Sequence, residues 1–270
     1  MGIYRADKKH GVAWVTGGST GIGRHLSLDL ARAGWIVAVT SRPGDPEPVA
    51  ENASPGRIVA FNCDVTDEAG MAETAEVIEK TLGPIVLAVF NAGVYFPVHG
   101  EALDLSSIRA TYEVNVFGVL NGLVPVVARM RQRTRGHIVI NASISSYFGW
   151  PTTAGYGATK AALNNMADAL RFDFEKMNIR IQVINPGFVD TPLARKNKVL
   201  MPAAISVAKA SDRMMKAICR GGYETTFPWR LTWWLKFMRL WPNEARFAFM
   251  NAVTRWRSIP PKPGRKTDRS

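Results

Sequence analysis

Cysteine is scarce in this chain: only Cys63 and Cys219 occur in 270 residues, and they share no CxxC or metal-ligand spacing. A disulfide framework and a cysteine-bound metal are excluded on that ground, no metal is expected, and a reducing, cytoplasmic setting is expected. No stretch reaches the roughly 18 uncharged apolar residues that a membrane span needs. Met1 to His10 carries charge but no apolar run, so no signal peptide is expected. Acid is what the C-terminal part lacks. From Arg213 to Ser270, thirteen Lys/Arg face only Glu224, Glu244 and Asp268, which accounts for most of the formal net charge of +12. Five of the eight tryptophans (Trp229, Trp233, Trp234, Trp241, Trp256) lie in the same segment. Hydrophobic residues make up 47%, ample for a core, and the length sits at the upper end for one domain.

Short β-branched apolar runs alternate with longer helical patterns. Strands are predicted at Val12–Thr16, Ile36–Thr40, Arg57–Phe61, Ile85–Phe90, His137–Asn141 and Ile179–Ile184. Helices are predicted at Gly21–Ala33, Asp67–Thr81, Leu105–Arg131 and Tyr156–Lys176. Near-continuous apolar strands alternating with helices point to an α/β fold, a parallel sheet covered on both faces. Pro43 to Pro48 breaks the pattern where another crossover helix is due and reads as a loop or a truncated helix.

The segment Thr16-Gly17-Gly18-Ser19-Thr20-Gly21-Ile22-Gly23 follows a strand and opens a helix. In that context glycines permit positive φ and close approach of backbone N–H groups to a pyrophosphate, and the helix N-terminus favours its charge. Farther along stand Asn115, Ser143 and Tyr156-Gly157-Ala158-Thr159-Lys160. Tyr156 and Lys160, four apart, share a helix face. The Gly17…Gly21…Gly23 spacing resembles the TGxxxGxG motif of the short-chain dehydrogenase/reductase family, and Asn115, Ser143, Tyr156 and Lys160 resemble that family's Asn–Ser–Tyr–Lys tetrad with its YxxxK spacing. The resemblance covers about Gly11 to Leu193.

That resemblance implies a Rossmann-type doubly wound parallel sheet and a nicotinamide cofactor. Ser19, Thr20 and Ile22 join the three glycines around the phosphates. Ser41 stands where NAD-selective members place a ribose-binding acid, and Arg42 can pair with a 2′-phosphate through its planar fork, so NADP(H) is expected over NAD(H). Asp64 and Val65 are implied at the adenine, and Asn91-Ala92-Gly93 beneath the cofactor. Pro186, Gly187, Val189 and Thr191 resemble the motif that holds the carboxamide and presents the pro-S hydride.

The chemistry suits these residue types. A free tyrosine, with pKa about 10, is a poor acid/base near neutrality. A neighbouring ammonium and an oxidised nicotinamide both favour phenolate, so a lowered Tyr156 pKa is expected. Ser143 can donate a hydrogen bond to the substrate oxygen. The resemblance adds that Lys160 binds the nicotinamide ribose and that Asn115 anchors a proton-relaying water chain. The reading is a carbonyl reductase acting on a small molecule, with alcohol oxidation on a small substrate or non-catalytic NADPH sensing as alternatives.

Residues 1–222 are assigned to the catalytic domain, including a substrate lid at about 188–210, and 223–258 to an apolar, basic helical extension. Residues 259–270, proline-rich and basic, are expected to be disordered. Leu231–Trp241 is very apolar yet interrupted by charge, and helical spacing gathers Thr232, Lys236, Arg239 and Asn243 into a narrow polar stripe beside a wide Trp/Leu/Phe/Met surface. Peripheral membrane contact through 229–257 and a lipophilic substrate follow as expectations, against a packing role over the pocket or a subunit interface. No nucleic-acid module accompanies the charge. By family analogy, a homo-oligomer pairs through the helices Leu105–Arg131 and Tyr156–Lys176.

Overall fold

The computed structural model describes residues 2–46, 55–197 and 204–260. Its strands are β1 (Val12–Thr16), β2 (Ile36–Ser41), β3 (Arg57–Asn62), β4 (Ile85–Phe90), β5 (Gly136–Asn141), β6 (Ile179–Pro186) and β7 (Glu224–Phe227). All pair in parallel, in the order β3-β2-β1-β4-β5-β6-β7. The helices are α1 (Gly21–Arg32), α2 (Glu68–Thr81), α3 (Leu105–Tyr112), α4 (Gly118–Gln132), α5 (Ala154–Lys176), α6 (Pro192–Lys196), α7 (Val207–Arg220), α8 (Trp229–Met238) and α9 (Asn243–Thr254).

β1, β4 and β5 are buried at every position, as strands covered on both faces require. One side of the sheet packs Trp14, Phe90, Leu123 and Leu163 against α2, α4 and α5; the other packs Leu26, Leu30, Met214 and Ile218 from α1 and α7. Strand order reverses between β1 and β4, and in such sheets the crevice beyond the strands' C-terminal ends is where ligands bind. The helical run Leu105–Gln132 is long and apolar enough to cross a membrane by length and composition. In this fold Val119, Leu123, Val126 and Met130 of that run are core residues.

Four sequence expectations change. The long helix expected at Leu105–Arg131 is divided by one π-helical turn, Glu113–Phe117, which carries Asn115. Residues 224–227, assigned to a helical extension, instead add β7 to the sheet edge, and α7 (Val207–Arg220) takes up the last residues assigned to the lid. The polar stripe expected from Thr232 to Asn243 is split: Thr232 is buried and bonded to Thr226 (2.7 Å), Lys236 pairs with Glu224 (2.5 Å), and Arg239 and Asn243, both beyond the end of α8, are exposed. Of the proline-rich break, Pro43 and Gly44 form a turn, whereas Glu47 and Pro48 lie outside the described residues. So do Lys198, Leu200 and Met201 of the lid and residues 261–270 of the tail.

Candidate active site

β1 delivers the chain into a turn that only glycine can make as built. Gly17 and Gly21 have φ of +65° and +54°; a side chain on Gly17 would meet Ala92 Cα at 2.7 Å, and one on Gly23 would meet the Gly17 carbonyl oxygen at 2.2 Å. Asn91 secures the turn: its amide Nδ2 donates to the carbonyls of Thr16 and Gly17 (both 3.1 Å), while its own N–H reaches Thr16 Oγ1 at 3.0 Å. The Ala92 N–H shares that hydroxyl (3.2 Å). Ser19 is buried, Ile22 half-buried, and exposed Thr20 caps α1 without a side-chain bond. The first-turn N–H groups of α1 have no intrahelical acceptor, so this cradle fits a pyrophosphate in shape and sign.

At the end of β2, Ser41 is buried and Arg42 extends toward Asp45, with Nη2 at 3.2 Å from its carboxylate. Asp64 follows β3 and accepts from the backbone N–H and hydroxyl of Thr66 (2.9 and 2.8 Å). Val65 is buried beneath it, and its carbonyl accepts from Asn121 (2.9 Å).

The four catalytic candidates come together beyond β4, β5 and β6. Asn115 is fully buried; its Oδ1 accepts from Val94 N–H (2.8 Å), and its Nδ2 donates to the Val94 carbonyl (3.0 Å) and Thr159 Oγ1 (3.1 Å). Lys160 Nζ donates to the Asn141 carbonyl at 2.8 Å and stands 5.7 Å from the Tyr156 ring centroid. Gly93 opens this space, because a side chain there would meet Asn115 Oδ1 at 3.2 Å and Lys160 Nζ at 3.7 Å. Tyr156 packs edge-on against Tyr95, with centroids 5.2 Å apart.

After β6, Gly187 N–H bonds to the Phe227 carbonyl (2.6 Å) immediately after Pro186. Val189 bridges to Ile205, and Thr191 caps α6 through Ala194 N–H (3.2 Å). Thr191 also faces the glycine turn: a Cβ on Gly21 would lie 3.7 Å from its Cγ2. The phosphate cradle and the segment expected to hold the carboxamide therefore adjoin.

Burial raises the Tyr156 pKa, and a hydrogen bond with Ser143 opposes it. The lowered value expected from the sequence rested on charge from Lys160 and an oxidised nicotinamide. In the chain by itself desolvation wins, and the phenol keeps its proton. Burial also lowers Lys160 to about 8.

Sequence reasoning missed the residues that hold Ser143. Asn185 Oδ1 accepts the Ser143 N–H at 3.1 Å, and Asn185 Nδ2 donates to Glu224 Oε1 at 2.9 Å. Tyr147 donates to the same carboxylate oxygen (2.8 Å), whose partner oxygen accepts from Lys236 of α8. Asn185 directly precedes the Pro186-Gly187 pair in the sequence, but no spacing rule links it to Glu224, 39 residues on. The Ser143 loop continues into Tyr147, Phe148 and Trp150, which pack with Phe188 and with Leu235 and Trp241.

A short chain dehydrogenase family model matches residues 11–199. The chain belongs to the short-chain dehydrogenase/reductase family. An oxidoreductase of Myxococcus xanthus is 32% identical over 241 residues, covering 88% of this chain and 95% of that protein. An NADP-dependent (R)-specific alcohol dehydrogenase of Lentilactobacillus kefiri is 31% identical, covering 67% and 74% respectively. A short chain dehydrogenase from Burkholderia cenocepacia, solved in complex with NADP, superposes with a TM-score of 0.77 at 26% identity, over 93% of this chain and 99% of that one. This protein is thus a short-chain oxidoreductase with a nicotinamide cofactor site, acting on a small-molecule substrate.

Proposed function

We propose that this oxidoreductase uses NADP(H) to reduce a lipophilic carbonyl compound, with Tyr156 as general acid. The carrying observation is the convergence of Asn115, Ser143, Tyr156 and Lys160 beside the Gly17–Gly23 cradle. A bound nicotinamide supplies hydride to the carbonyl carbon. Tyr156, protonated in the free chain, gives its proton to the carbonyl oxygen, and Ser143 donates a hydrogen bond to the same oxygen. Lys160 spends one N–H on Asn141, which leaves two for ribose hydroxyls, and its positive charge steadies the phenolate as it forms. Asn115 fixes the π-turn against the loop after β4 and so keeps the floor of the site in place; a relaying water chain from it toward Lys160 is part of the same reading.

Gly17, Ser19, Thr20, Gly21, Ile22 and Gly23 hold the phosphates in this reading, Asp64 and Val65 the adenine, and Asn91, Ala92 and Gly93 the underside of the cofactor. Pro186, Gly187, Val189 and Thr191 hold the carboxamide. NADP(H) is favoured by Arg42 and by the absence of an acid at Ser41, and it agrees with the NADP named for the Lentilactobacillus and Burkholderia relatives. Aromatic residues Phe148, Trp150 and Phe188 beside Ser143 favour a lipophilic substrate. The enzyme then works in the cytoplasm at a membrane surface. It pairs as a homo-oligomer across the long helices, where Val124 and Phe172 are exposed.

The test follows NADPH oxidation with ketones of rising chain length. Turnover that rises with length is expected, with NADPH preferred over NADH and the preference reduced roughly tenfold or more in Arg42→Ala, the scale of one charge-assisted hydrogen bond. No turnover of any ketone, or equal losses of NADPH and NADH binding in the variant, contradicts the reading.

A further inference from the structure

α8 is built inside out for a helix at a protein–water boundary. Its Thr232 and Lys236 turn inward to Thr226 and Glu224, alongside buried Leu235 and Met238. Its outward row is Trp229, Trp233, Phe237 and, just past the helix end, Leu240, spaced 4, 4 and 3 residues apart on one helical face. Trp233 is 65% exposed and Leu240 80%, and α9 also exposes Phe247 and Val253. Scattered exposed apolar residues need no explanation, but an aromatic row on a helix whose Thr232 and Lys236 turn the other way does.

Charge selects what covers this face. Between Trp229 and Ile259 there are six cations (Arg230, Lys236, Arg239, Arg246, Arg255, Arg257) and a single acid, Glu244. Lys236 is already paired with Glu224. A second copy docked face to face would set arginines against arginines with two glutamates to balance them, which opposes a self-interface. An anionic bilayer supplies both missing partners, acyl chain for the indoles and phosphate for the arginines. Past the described residues the sequence adds Lys262, Arg265, Lys266 and Arg269 against Asp268.

We propose that the outward face of α8 and α9 docks on an anionic phospholipid surface, with Trp229, Trp233, Phe237 and Leu240 entering the interface. The inner face of α8 belongs to the same cluster as Ile144 and Tyr147 of the Ser143 loop. One helix diameter, about 10–12 Å, therefore separates the lipid from the catalytic wall. The proposal deepens the lipophilic-substrate reading and rests on it only for taking lipid as occupant; binding is measured without turnover, so either can fail separately.

The test sediments the full chain with vesicles of phosphatidylcholine alone and of phosphatidylcholine mixed with phosphatidylglycerol. Binding to the mixed vesicles, weakened by salt and poor on phosphatidylcholine alone, is expected. A Trp233→Gln/Phe237→Gln variant, altered only at exposed positions, should lose roughly tenfold or more of the affinity while keeping its thermal transition and NADPH binding. A second variant, Arg230→Gln/Arg239→Gln, should lose affinity for the mixed vesicles and most of its salt dependence. Brominated acyl chains should quench tryptophan fluorescence in the unaltered chain more than in Trp229→Phe/Trp233→Phe. The proposal is overturned by no sedimentation at low salt, by equal binding to both vesicle types, or by unchanged affinity in the glutamine variants. It is also overturned if light scattering shows that Trp233→Gln/Phe237→Gln dissociates an oligomer, which would place a second copy on the face.

Discussion

Lys160 is a cation in a place that disfavours cations. Its Nζ is buried with one carbonyl partner, Asn141, and burial brings its pKa from 10.5 to about 8. The sign follows from linkage. Between about 8 and 10.5 the unfolded chain binds the proton and the folded chain does not, so stability rises with pH across that window, and the cost of the buried charge is fully felt below it. Catalysis runs the other way. In the proposed mechanism reduction needs Tyr156 protonated and Lys160 charged, and both conditions hold at neutral pH. The kcat/KM for NADPH, which reports the free enzyme, is expected to be level near neutrality and to fall above about pH 8. A profile still level at about pH 10, the ordinary lysine range, would contradict this assignment.

At the scale of elements, α8 is tied into the candidate active site and is not an appendage. Lys236 of α8, Glu224 of β7, Asn185 of β6 and the Ser143 backbone form one continuous chain of hydrogen bonds. Burial raises the Glu224 pKa, but its bonds from Lys236, Tyr147 and Asn185 outweigh that and hold the carboxyl below its ordinary value. Its contribution to stability is therefore present above about pH 4.5 and is lost as pH falls through the lowered folded value. Glu224→Gln should lower kcat several-fold with little change in KM for NADPH, since it loosens Ser143 and not the glycine cradle. It should also cost on the order of 1 kcal/mol in urea unfolding, a discounted value because the pair is part-exposed. An unchanged kcat would show that α8 and Ser143 are independent.

This arrangement marks where the sequence was legible. Six strands and the Gly17–Gly23 turn were readable because apolar runs such as Val12–Thr16 and glycine spacing are local signals. β7 was not, since Glu224-Thr225-Thr226-Phe227 is an edge strand with one buried residue and no apolar run. The π-turn at Asn115 was hidden for another reason: the apolar periodicity of α3 and α4 continues through it, and the extra residue shows only in backbone hydrogen bonds. The helical period of α8 was visible, but which face turned inward depended on Thr226 and Glu224, partners that periodicity cannot identify.

For the whole molecule, one seven-stranded sheet brings the Gly17–Gly23 turn, the segment from Pro186 to Thr191 and four catalytic candidates to the same edge. The family and the fold fix the reaction class as oxidoreduction with a nicotinamide cofactor. The claim that Tyr156 moves the proton is the centre of the account, and it separates an enzyme from a protein that merely binds the dinucleotide. The most direct measurement compares Tyr156→Phe with the unaltered chain, in NADPH binding by fluorescence titration and in ketone reduction under saturating cofactor. Removing only the hydroxyl should leave the NADPH dissociation constant within about twofold while kcat falls on the order of a hundredfold to ten-thousandfold, the range for loss of a general acid. Reduction retained within about tenfold, with NADPH still bound, would mean that another group delivers the proton and that the mechanism drawn around Tyr156 is wrong.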